Sequence, residues 1–96
     1  MKYAEEADIL NVVLFKTTAK AWRELNPNLA KNTNMRDYAT INELTVLSNL
    51  ESHNAELIKE GISKEERFRI LTDIANYQLD ILNRSDEMKK ITTNER

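Results

Sequence analysis

The apolar positions fall into helical rows along nearly the whole chain. In residues 4–15, Ile9, Leu10, Val13 and Leu14 recur at helical spacing behind the acids Glu5, Glu6 and Asp8, which complement the positive end of a helix dipole. This predicts a short amphipathic helix. The β-branched pair Val12-Val13 lowers intrinsic helix propensity, so a strand over 11–15 is the competing assignment and packing must hold the helix. A second helix of about two turns follows over Ala19–Leu25. Thr17 or Thr18 is its N-cap, and Asn26-Pro27 ends it because proline disfavours helical geometry in the residue before it.

Residues 28–39, with Asn28, Asn32 and Asn34, form the main loop, since asparagine tolerates turn and left-handed conformations. Thr40-Ile-Asn-Glu43 fits a capping box and opens a third helix that runs to Glu60, with Leu44, Leu47, Leu50, Leu57 and Ile58 near one face. Gly61 stands where a left-handed C-cap is needed. Ser63-Lys-Glu-Glu66 repeats the capping pattern directly afterwards, so the third and fourth helices form a hairpin, antiparallel or steeply crossed. On the last helix Ile70, Ile74, Tyr77 and Ile81 are spaced four, three and four apart, flanked by Phe68, Leu71, Ala75 and Leu82. That stripe is wider than one partner helix need cover. Beyond Asn83 the pattern thins, Met88 and Ile91 continue it weakly, and residues from about 85 to 96 read as a fraying or disordered end. The expected architecture is one all-α domain over residues 1–96, a small four-helix fold whose long C-terminal hairpin is packed by the two short N-terminal helices.

Composition narrows the function classes more than it identifies one. Ninety-six residues hold one modest core. One glycine, one proline and no cysteine exclude disulfides, thiolate metal sites and glycine-rich phosphate loops. The single imidazole, His53, offers one ligand where a metal site needs at least three, and no serine stands in a nucleophile elbow. No catalytic, cofactor or metal residues are assigned, and the expectation is a non-enzyme. The first apolar run, Val12–Phe15, is far shorter than a membrane span and is preceded by acids, so the expected compartment is the cytoplasm, with no membrane partner.

The net charge of −2 conceals a partition: residues 16–36 carry five positive charges and one negative, and residues 37–62 carry one positive and five negative. The basic stretch has an aromatic centre. Lys16, Lys20, Trp22, Arg23, Lys31 and Arg36 are therefore candidate nucleic-acid contacts, cations neutralising phosphates beside a ring that stacks on a base. The competing view makes Trp22 a core anchor and the charges a solvated face.

Three blocks carry a resemblance: Thr18-Ala-Lys-Ala-Trp-Arg-Glu-Leu-Asn-Pro27, Met35-Arg-Asp-Tyr-Ala-Thr-Ile-Asn-Glu-Leu44 and Leu47-Ser-Asn-Leu-Glu-Ser-His-Asn-Ala-Glu-Leu-Ile58. The chain resembles, from about Tyr3 to Leu82, the C-terminal helical region of bacterial and phage KilA-N domain proteins. The resemblance implies a phage or mobile-element context and a separate N-terminal DNA-binding module. That module is not in this sequence, and the matched region carries no catalytic or binding residue to transfer, so the chain is expected to be either an excised domain or a small stand-alone relative. The leading expectation is a non-enzymatic interaction or oligomerisation module that accompanies DNA-binding proteins, associating with itself, as a homodimer, or with another protein through Ile70, Ile74, Tyr77 and Ile81. The alternatives are direct nucleic-acid binding through residues 16–36 and a small phage-encoded inhibitor of a host enzyme.

Overall fold

A computed structural model describes residues 5–94, with side-chain surroundings described as far as Met88. Helix α1, Glu6–Phe15, places Glu6 and Asp8 in its first turn and buries Ile9, Leu10, Val13 and Leu14. The strand alternative for 11–15 is not realised. Helical spacing puts all four apolar side chains on one face, and burying each is worth ~1.5–3 kcal/mol, well above the few tenths that β-branching costs a helix. Lys16 ends α1 in the left-handed region (φ 65°), its amide reaching the Val12 carbonyl and its ammonium the Val13 carbonyl at 2.9 Å.

Helix α2 is Ala19–Leu25, and the Thr18 hydroxyl accepts from the Ala21 amide at 3.1 Å. Asn26, held before Pro27, closes it by donating its side-chain amide to the Trp22 carbonyl at 2.9 Å. The loop beyond contains two 3-10 turns, Leu29–Lys31 and Met35–Tyr38. The second is braced by a small reciprocal box, in which Asn34 accepts from the Arg36 amide and Asp37 accepts from the Asn34 amide. Helix α3, Ile41–Lys59, opens on the Thr40/Glu43 capping box, with bonds of 3.0 and 2.9 Å. It closes on Gly61 at φ +79°, where the Gly61 amide meets the Ile58 carbonyl and the Ile62 amide meets the Leu57 carbonyl, the two bonds of a Schellman motif. Ser63 then accepts from the Glu66 amide to start α4, Lys64–Asn94.

Among the described residues the secondary structure is helices and turns. The hairpin is antiparallel: Asn42 donates to Asn83 and Asp86 while Asn49 donates to Gln78, so the start of α3 lies beside the far part of α4. Helix α1 packs over both. Ile9, Val13, Val46, Leu50, Leu71 and Ala75 are at most 1% exposed, and Phe68, Ile74, Leu79 and Leu82 close the rim. Helix α2 departs from the expected packing role, for it buries no residue and leans on the second 3-10 turn instead of the hairpin. Its apolar residues are too few: Leu25 is 80% exposed, and only Trp22 finds a partner ring, Tyr38, at 5.8 Å.

The core face of α3 also differs from expectation. Leu44 and Ile58 are 44% and 46% exposed, whereas Val46 and Asn54 are buried beside Leu47 and Leu50. Their rows lie at the edge of the buried sector, where periodicity distinguishes core from margin poorly. The molecule is flat, 51 × 39 × 15 Å. Its radius of gyration of 15.7 Å exceeds the ~12.5 Å typical of a chain this long. Helix α4 accounts for the excess, since its 31 residues extend ~46 Å against ~15 Å for the ten residues of α1. The fraying expected over 85–96 concerns side chains from Lys89 onward and residues 95–96, which lie outside the described residues; the backbone is helical to Asn94.

Candidate functional site

The six residues of the basic stretch separate into two groups. Lys16 and Arg36 are engaged by the fold: the Lys16 ammonium, on an exposed residue, caps α1, and the half-buried Arg36 guanidinium donates to the buried Asn11 side chain at 3.3 Å. Trp22 is half-buried against Tyr38, on the wall of a groove shared with Phe15, Met35 and Glu43. Lys20, Arg23 and Lys31 are exposed. The lobe formed by α2 and the two 3-10 turns thus presents three solvent-facing cations, while its best stacking ring already has an aromatic neighbour.

The apolar stripe on α4 divides along its length. Ile70 and Ile74 are half-buried, with Ile74 packing on the core. Tyr77 is 70% and Ile81 42% exposed, because they point away from the core-facing row of α4, on which Leu79 and Leu82 still pack. Ile81 and Leu82 line a shallow groove of about 170 Å³ with Thr45, Asn49 and Gln78, and the Asn49–Gln78 bond of 3.0 Å bridges α3 and α4 beside it. One turn before Thr45 stands Ile41, 82% exposed. Exposed apolar side chains thus stand on both helices that flank the groove, Ile41 one turn from Thr45 and Tyr77 one turn from Ile81.

A third constellation, which no local pattern of residues announces, joins α1, α3 and α4. Arg67, 6% exposed, donates from Nε to Asn54 Oδ1 at 3.0 Å, from Nη1 to the Ile62 carbonyl at 2.5 Å, and from Nη2 to both Glu6 oxygens at 3.1 and 2.8 Å. Asn54 completes the triangle by donating Nδ2 to Glu6 Oε1 at 2.8 Å. The Asn54 amide holds the Glu6 carboxyl below its usual value; partial burial opposes this, and Arg67, by hydrogen bond and charge, adds to the lowering, as does the charge of Lys64. Each guanidinium nitrogen already has an acceptor, and no fully buried side-chain polar atom among the described residues lacks a partner. The cluster is a clamp, with four guanidinium N–H groups committed to acceptors on α1, on α3 and in the turn after α3. Glu6, Asn54 and Arg67 each look like ordinary helix-surface residues in sequence, and they are 48 and 61 positions apart.

His53 is exposed on α3, and among the described residues no group of three acidic, histidine or cysteine side chains is placed to hold a metal. Nor is any helix among them long and apolar enough to cross a membrane. Comparison with family models, curated proteins and solved structures finds no match.

Proposed function

We propose that this domain is a non-enzymatic interaction module that associates with itself and accompanies DNA-binding proteins of phage or mobile-element origin. The observation that carries the self-association is the open patch of Tyr77, Ile81 and Ile41 around the α3/α4 groove, large apolar side chains left uncovered on a hairpin that its own polar bridges hold in register. The setting beside DNA-binding proteins rests on the KilA-N resemblance of residues 3–82. Light scattering over a concentration series tests the association. The mass should rise above 11.2 kDa with concentration, and a monomer at high micromolar concentration refutes it.

The exposure of Lys20, Arg23 and Lys31 favours a second reading, direct contact with a nucleic-acid backbone. Three phosphate contacts imply a slope of log affinity against log salt of about −2.7 on duplex DNA. Lack of any mobility shift at low salt, or a shift unaffected by Lys20→Ala with Arg23→Ala, excludes it.

A further inference from the structure

Ten acids against five bases over residues 41–88 give the α3/α4 hairpin a net charge of −5, and the preceding lobe, residues 16–36, carries +4. The two signs occupy different parts of the fold. Lys20, Arg23 and Lys31 face solvent in the lobe together with Leu25 at 80% and Leu29 at 46% exposure. On α4, Glu66, Asp73, Asp80 and Glu87 recur every seven residues, which sets them in one row beside the stripe of Ile70, Ile74, Tyr77 and Ile81. Arg69 pairs with Glu66 and Asp73, and Arg84 with Asp80, without reversing the sign of the hairpin.

This row decides between two ways of covering the patch with a second copy. An antiparallel pairing of two α4 helices along the stripe sets Ile74 against Tyr77 and brings Asp73 of one copy near Asp80 of the other; Arg69 and Arg84 screen these acids, but four acids against two arginines leave both rows net acidic where they meet. A parallel pairing runs the same acids beside Gln78 and Ser85 and gains no ion pair. The basic lobe meets neither objection, because it brings cations to the acidic row and exposed leucines to an exposed apolar patch. We infer that the occupant of the Tyr77/Ile81/Ile41 patch is the basic α2 lobe of a second copy of this chain. The inference rests on the self-association proposed above and specifies the surface that performs it.

The test uses two charge-reversed full-length chains, Lys20→Glu with Arg23→Glu and Asp73→Lys with Asp80→Lys. All four positions are exposed, so the fold should survive; far-ultraviolet circular dichroism checks that helicity is unchanged, and Tyr77→Glu serves as an uncharged-to-charged control on the patch. Sedimentation velocity at a concentration where the wild-type chain associates is the readout. Each reversed chain alone, and the Tyr77→Glu chain, should sediment as a monomer, and an equimolar mixture of the two reversed chains should regain the wild-type association. Wild-type association should also weaken as salt is raised. Association of the Lys20/Arg23 variant equal to wild type, with loss in the Tyr77 variant, overturns the lobe contact in favour of α4 pairing and leaves self-association standing. A wild-type monomer at all concentrations overturns both.

Discussion

Replacing Arg67 with methionine tests the clamp across the three packed helices. Methionine keeps an apolar stem of similar reach, so little cavity is created, and the loss is confined to the guanidinium. Three acceptors lose their donor: the buried Asn54 side-chain oxygen, the Ile62 carbonyl and the Glu6 carboxylate. Breaking a buried ion pair from one side costs ~3–5 kcal/mol, and stranding a buried neutral acceptor ~1–3 kcal/mol. The Glu6 side chain is 41% exposed and keeps its bond from Asn54, so water and the amide recover part of the loss. The lower end applies, about 3 kcal/mol. A domain of this length has a total stability of about 5–14 kcal/mol, and each kcal/mol moves the melting temperature by roughly 4–8 °C, so a fall of about 12–24 °C is expected. Thermal and urea unfolding followed by circular dichroism measure it. A double-mutant cycle with Glu6→Gln separates the pair from the rest, since the glutamine still accepts from both neighbours and alone costs about 1 kcal/mol. A loss under about 1 kcal/mol for Arg67→Met, or strict additivity of the two variants, refutes the clamp as a joint of the fold.

Further outcomes follow from local geometry. Because the native Glu6 carboxyl is held below its usual value, its ionised form favours the fold: that contribution is complete above the unfolded value of about 4.3 and is lost as pH falls through the folded one, so the stability gap between wild type and Glu6→Gln should narrow in acid urea titrations. Gly61→Ala should lose about 1 kcal/mol through the left-handed backbone alone, since nothing lies within 4 Å of the added Cβ. Lys16→Gly should have the opposite sign, gaining up to about 1 kcal/mol in chemical denaturation, because a lysine now occupies a left-handed position. Thr40→Ala should cost about 1 kcal/mol and speed amide exchange in the first turn of α3 before it affects the core.

The helix boundaries were legible because the chemistry that starts and stops a helix is local. Thr18, Thr40, Ser63, Asn26-Pro27 and Gly61 act within three or four residues, and each acts in the structure where its neighbours in sequence imply. The one stop that escaped notice, Lys16, is a residue type with no preference for the left-handed conformation it adopts. On α4 the apolar rows through Leu71 and Ala75 and through Ile74 and Ile81 are adjacent, and helical period cannot say which a neighbour will cover. The candidate stripe lies at the margin of the buried face, with Ile74 packed on the core and Tyr77 in solvent, and only the packing of the neighbouring helices divides it.

Hydrophobic spacing and capping residues, both read over a few positions, established four helices and a hairpin. Which polar residues are spent inside depended on contacts between distant parts of the chain. Arg67 became a clamp and Arg36 a brace for Asn11, while Lys20, Arg23 and Lys31 stayed in solvent, although all five are basic residues on short polar stretches. A guanidinium is buried only where several acceptors converge, and such convergence is made by packing helices against one another. The same packing turns Leu71, Ala75 and Leu82 of α4 inward and leaves Tyr77 and Ile81 outside, so the exposed apolar side chains and their charged surroundings are properties of the assembled fold.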